Sequence, residues 1–195
     1  MSRIDDLFAF LSIPSVSAQA EHAADVERCA DYLVEKLSSI GFSATKYLTD
    51  IHPIVVAHSP KVEGAPTVLI YGHYDVMPVE PLELWKSNPW EPEIREGRLY
   101  ARGADDDKGQ AMIQVKAFEY LVREGLMNCR VKFIFEGEEE IGSPSLETFL
   151  EEHRELLSCD IILVSDTSMI GKDTPSITTG LRGLAYWQME VTGPN

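Results

Sequence analysis

Three short apolar runs constrain this sequence more than any other feature, because each stops at a group able to bind a metal ion. Residues 67–71 read TVLIY and lead into His73 and Asp75. Residues 131–135 read VKFIF and lead into Glu138, Glu139 and Glu140, and residues 160–164 read DIILV and lead into Asp166. Runs so nearly free of polar residues suit central strands buried on both faces.

The intervening spacing is helical. An apolar stripe of Met112, Val115, Phe118 and Val122 predicts a helix over residues 108–123, and a second helix is expected over 145–157. Upstream, Val26, Cys29, Ala30, Leu33, Leu37 and Ile40 repeat at helical spacing up to Gly41, a usual helix stop. A first amphipathic segment runs over 4–13 and ends at Pro14. Short strands are expected at 43–48, 53–58 and 98–101, and two more at 175–179 and 184–191. Residues 77–97, with four prolines and two tryptophans, read as an ordered excursion. Apolar strands alternating with helices indicate a three-layer α/β domain around a mixed, largely parallel sheet. In such sheets ligands bind beyond the carboxyl ends of the strands.

Composition narrows the function classes. A length of 195 residues suffices for one domain with a substantial core. The net charge of −15 argues against a nucleic-acid surface. No run of about 18 apolar residues offers a membrane span, and the N-terminus, broken by Asp5 and Asp6, lacks the form of a signal peptide. The three cysteines, Cys29, Cys129 and Cys159, sit in apolar segments and are expected to be buried and reduced, as in a cytoplasmic protein.

Much of the charge lies in two clusters, Asp105-Asp106-Asp107 and Glu138-Glu139-Glu140. Carboxylates packed together cost little in water but need a compensating cation inside a cleft. If the strands share a direction, His73, the two clusters and Asp166 converge at one sheet edge. One imidazole with several carboxylates suits zinc, and also manganese or cobalt. Asp75, two residues from His73 on an extended chain, shares its face and could accept a hydrogen bond from its second ring nitrogen. Glu139 and Glu140 are adjacent and point apart, so one could bind metal while the other takes a proton from water. Asp106 stands near a helix N-terminus, where negative charge is favoured. Each feature has an ordinary reading: a satisfied histidine, an N-cap, a solvated acidic run. All four at strand ends favour a metal site.

The strings GHYDVMP, LWKSNPWEPEIREGRLYARGADDDKG, FEGEEEIGS and LVSDTS resemble the zinc-dependent dipeptidase and aminoacyl-amidohydrolase family. That family includes carnosinase, cytosolic non-specific dipeptidase, acetylornithine deacetylase and succinyl-diaminopimelate desuccinylase. The segment TTGLRGLAYWQMEVTGPN resembles the dipeptidase branch. The resemblance implies a three-layer αβα zinc-peptidase domain, of which residues 1–195 form the N-terminal part. It implies two zinc ions, His73 and Asp166 binding one, Glu140 the other and Asp106 bridging both. Glu139 would be the general base and acid, Asp75 would orient His73, and the bond between Asp106 and Asp107 would be cis. Asp105 would be a neighbour and not a ligand. The substrate would be a dipeptide or an N-acyl amino acid.

Family members are about twice as long. Their lid domain supplies a further histidine, an arginine and the homodimer contacts, and a returning segment supplies a last zinc-binding histidine. No histidine follows His153 here, so this chain alone is expected to be poorly active. The readings that compete are an N-acyl-amino-acid deacylase, a non-catalytic relative that keeps the fold, and a calcium-binding module, which would leave His73 unexplained.

Overall fold

The computed structural model describes residues 4–194. Its elements in chain order are α1 (Asp5–Leu11), α2 (Ala23–Ser39), β1 (Ser43–Tyr47), β2 (Ile54–His58), β3 (Thr67–His73), β4 (Glu93–Arg95), β5 (Arg98–Tyr100), α3 (Lys108–Arg123), β6 (Arg130–Glu136), α4 (Leu146–Glu152), α5 (Arg154–Leu157) and β7 (Ile161–Val164). Five strands form one sheet in the order β1-β2-β6-β3-β7. β3 runs parallel to both β6 and β7, while β2 runs antiparallel to β1 and β6. The sheet is therefore mixed, with two parallel and two antiparallel pairings.

Pleating divides the strand residues between two cores. Val55, Ala57, Ile70, Val131, Phe133 and Phe135 face one side, packed with Phe10 of α1, the Val26–Leu37 stripe of α2, and Ala111, Met112 and Val115 of α3. Ile54, Val56, Leu69 and Ile134 face the other side, covered by Phe149 of α4 and Leu157 of α5. These are the three layers. No described helix is long and apolar enough to cross a membrane.

Local chemistry ends each element. At the end of α2, Gly41 takes φ of 93°, Gly41 N–H donates to Ser38 O, and Phe42 N–H donates to Leu37 O. That paired closure satisfies the last carbonyls and turns the chain into β1. α1 stops at Leu11, short of the expected residue 13, and Ser12 closes it, its backbone N–H and its hydroxyl both donating to Phe8 O. Two carbonyls beyond, those of Phe10 and Ile13, accept from Lys108 Nζ at 3.1 and 2.6 Å. Lys108 is fully buried and opens α3, so it fastens the start of that helix to the end of α1. Farther along, Asp6 of α1 pairs with Lys36 of α2 and Lys116 of α3, which joins the three helices over the sheet.

Several sequence expectations differ from the structure. Residues 175–179 and 184–191 form no strand, and Leu184, Trp187, Met189 and Val191 are almost wholly exposed. Alternation makes a strand only where a neighbour completes the ladder, and no described residue pairs with them. The helix expected over 145–157 divides at His153, whose ring Nδ1 lies 3.0 Å from Phe149 O and whose backbone leaves helical angles. Of the cysteines only Cys29 is buried; Cys129 and Cys159 are partly exposed, and all three are free. The excursion over 77–97 contains a strand, β4, which makes a hairpin with β5 across Glu96 and Gly97, both at positive φ.

Removing the Lys108 ammonium deletes two buried hydrogen bonds and leaves Phe10 O and Ile13 O to the backbone donors Ile13 N–H and Ser15 N–H. We expect Lys108→Met to lower unfolding free energy by about 2 kcal/mol, measured by urea titration. An unchanged midpoint would contradict the fastening role.

Candidate metal centre

Because β3, β6 and β7 are parallel, their carboxyl ends open on one edge of the sheet. His73 is the last residue of β3 and is fully buried. Asp106 approaches from the bend before α3, and its Oδ1 lies 2.9 Å from His73 Nε2. Asp166, two residues beyond β7, brings Oδ2 to 3.6 Å from the same nitrogen, and Glu139 brings Oε2 to 4.0 Å. One donor atom from each of His73, Asp106 and Asp166 falls within 4.8 Å of the other two. The side chain of His73 is 0% exposed and that of Asp106 62%. The imidazole thus forms the floor of the cluster, and the carboxylates form a rim open to solvent.

Buried hydrogen bonds fix the imidazole. His73 Nδ1 lies 3.0 Å from Asp75 O and 3.2 Å from Asp75 Oδ1. Both partners are acceptors, so Nδ1 carries the proton and Nε2 turns its lone pair to the carboxylates whenever the ring is neutral. Asp75 is itself buried, and accepts from Ser17 Oγ at 2.6 Å, Glu139 N at 3.2 Å and Glu140 N at 3.0 Å. The backbone of His73 is held as well, since its N–H donates to Asp107 Oδ2 at 3.0 Å. That carboxylate approaches so closely that a Cβ on Gly72 would lie 2.7 Å from Oδ2, so only glycine fits there. The peptide bond between Asp106 and Asp107 is cis.

Not every residue singled out in the sequence joins the cluster. Glu140 lies on the 3₁₀ turn Glu139–Ile141 with its backbone tied to Asp75, outside the group formed by His73, Asp106 and Asp166. Asp105 is exposed. Glu138 is buried and faces away from the cluster, toward Thr49, His52 and Ser145. Sequence reasoning missed Ser17, Asp107 and Lys108. Asp107 and Lys108 could have been suspected from a helix start where an acid and a base directly follow Asp106. Nothing near Ser17 in the sequence signals its partner 58 residues away.

The charges are out of balance. Burial alone would lower the His73 pKa, but the hydrogen bond and charge of Asp75 outweigh it and raise it to about 10. Burial and the nearby Asp106 raise Glu140 to about 7, and burial raises Asp107 to about 7 despite the His73 amide. Burial also pushes Glu139 and Asp166 above the ordinary carboxylate range. Crowded carboxylates here retain protons that a cation would replace. A borderline divalent ion fits this donor set of one imidazole and several oxygens.

These shifts share one sign. Groups whose pKa rises on folding stabilise the fold below their unfolded value and lose that contribution as pH climbs through the folded value. For His73, Glu140 and Asp107 the window runs from about pH 4 to about pH 10. With chelator present, the urea midpoint should fall steadily from pH 5.5 to pH 9. Added zinc should flatten the fall, and a chelated protein with a flat profile would refute the imbalance.

Comparison with known proteins agrees with this geometry. The sequence profile of Peptidase family M20/M25/M40 matches residues 69–191. A cysteinylglycine-S-conjugate dipeptidase of Corynebacterium striatum is 33% identical over 189 residues, 95% of this chain and 41% of its own length. The Beta-Ala-His dipeptidase of Homo sapiens is 36% identical over 144 residues, 72% of this chain and 28% of that protein. The crystal structure of an M20 family metallo-carboxypeptidase of Sulfolobus solfataricus superimposes with a TM-score of 0.81 at 36% identity, covering 87% of this chain and 38% of that one. The chain spans about two fifths or less of the length of these relatives. With the profile covering well over half of its residues, the chain belongs to peptidase family M20/M25/M40, beside relatives named as dipeptidases.

Proposed function

We propose that the chain carries part of the active site of a two-metal hydrolase that cleaves dipeptides. The observation that carries this reading is the approach of Glu139 to within 4.0 Å of His73 Nε2, at the rim of a cluster that also holds Asp106 and Asp166. His73 and Asp166 would hold one ion, Glu140 another, and Asp106 both. Zinc suits these donors, and manganese or cobalt would also fit. The ions, when bound, lower the pKa of a coordinated water and polarise the scissile carbonyl.

The remaining work falls to side chains of this chain. Asp75 holds the Nδ1 proton on His73 and so turns Nε2 toward the carboxylate rim, where an ion would replace its proton. Glu139 takes a proton from the attacking water and returns it to the leaving amine nitrogen. Its carboxyl is pushed above the usual range chiefly by burial, with Asp166, Asp75 and Asp106 adding to the rise against the opposing pull of His73. A proton shuttle working near neutral pH requires a shift in that direction. The peptide substrate is supported by the names of the relatives, two dipeptidases and a carboxypeptidase. An N-acyl amino acid presents the same amide.

The test is metal binding together with dipeptide hydrolysis by the purified chain. We expect zinc or cobalt to bind and His73→Ala to lose it. Hydrolysis should be weak, because the relatives are more than twice as long and His73 is the only imidazole in the described cluster. Whatever rate is present should fall about 10²- to 10⁴-fold in Glu139→Gln, with metal content unchanged. Tight calcium binding without zinc, or full activity in Glu139→Gln, would overturn the proposal.

A further inference from the structure

Glu138, the first residue of the glutamate cluster, is 1% exposed and has no cationic partner within salt-bridge distance among the described residues. Three neutral donors surround it instead, together with the Thr49 hydroxyl, whose one proton is shared with His52 O at 2.6 Å. Its Oε1 lies 2.8 Å from His52 N, 3.0 Å from Thr49 Oγ1 and 2.9 Å from Ser145 Oγ, and its Oε2 lies 2.9 Å from Ser145 N. The first two contacts reach the loop between β1 and β2, and the last two reach the start of α4. Its own carbonyl accepts from Ile141 N and Ser143 N, closing the turn that bears Glu139 and Glu140.

A buried carboxylate retained without a cation is costly unless its lone pairs are filled, and here they are filled by groups from two separate segments. The contacts also close a circuit. The His52 ring reaches Ser17 O at 3.1 Å, and Ser17 Oγ donates to Asp75, which accepts the N–H groups of Glu139 and Glu140. The turn is therefore gripped from one side by Asp75 and from the other by Glu138, and the two grips share the Ser17–His52 bridge.

We infer that Glu138 is a positioning residue, which sets the direction of the Glu139 and Glu140 side chains toward the His73 cluster by clamping their turn to the 49–52 loop and to Ser145. The inference rests on the hydrolase reading only in what Glu139 and Glu140 are for. The clamp itself is independent of any metal.

Glu138→Gln keeps the size of the side chain but places an amide donor against the Ser145 N–H or the His52 N–H. Residue-resolved amide exchange by NMR, with chelator present, reads the clamp directly. Exchange of the Glu139 and Glu140 amides should speed up about tenfold or more, while Val55 and Ile134 in the sheet keep their rates. Thr49→Val, which removes one donor and leaves the carboxylate, should give a smaller change at the same two amides and remains informative if Glu138→Gln folds poorly. Equal acceleration at all four amides, or none at Glu139 and Glu140, would overturn the inference. Cobalt titration of the same variants separates it from the hydrolase reading. Glu138→Gln should weaken binding about tenfold. A parent chain that binds no cobalt would sink the hydrolase reading, while the exchange result would still decide the clamp.

Discussion

A carboxylate shut away from water must find hydrogen-bond donors, and Asp75 finds four: the Ser17 hydroxyl, the Glu139 and Glu140 amides and the His73 ring. Each donor comes with a segment attached. Ser17 brings the loop after α1, the two glutamates bring the turn after β6, and His73 is the end of β3. The buried charge therefore sets the relative position of three chain segments, and the geometry of the His73, Asp106 and Asp166 cluster follows from that arrangement. His73 can present only Nε2 to Asp106, Asp166 and Glu139 because Nδ1 is already committed.

Around this centre, charged side chains do in the interior what apolar ones cannot. Lys108 donates to two carbonyls at the end of α1, and Asp107 beside it holds the His73 amide. Two consecutive residues thus tie the start of α3 to α1 on one side and to β3 on the other. Glu138 does the same for the β1–β2 loop and α4. None of these groups is drawn to the interior by hydrophobic burial: Asp107 and Glu138 take up the His73, His52 and Ser145 amides, and Lys108 adds a second donor to carbonyls that already accept a backbone N–H.

The rim of the site works in the opposite sense. Glu139, Glu140 and Asp166 are all pushed toward the protonated form, foremost by burial and then by neighbouring acids. The fold brings these carboxylates together although they repel, a cost the hydrophobic layers beneath them bear. A cation among them would relieve that repulsion, which links the packing of the sheet to the chemistry at its edge.

The sequence by itself determined the strands and their ends. TVLIY, VKFIF and DIILV all became strands, and His73, Glu139 and Asp166 emerge beyond their carboxyl ends because the strands run parallel. The expected burial holds for β6 and most of β3 but not for β7, an edge strand whose four residues are all exposed. Those features are local, since periodicity and position along a strand are set within a few residues. Tertiary structure decided which acids face the cluster and which hold the scaffold. Within each acidic run the types are identical, yet Asp106 is on the rim while Asp107 is buried under His73, and Glu139 is near the imidazole while Glu138 is turned to Thr49 and His52. It also decided that residues 184–191, alternating like a strand, form none. A ladder, like a partner for a buried carboxylate, comes from residues distant in sequence, and one chain's local pattern holds no information about which distant group will arrive.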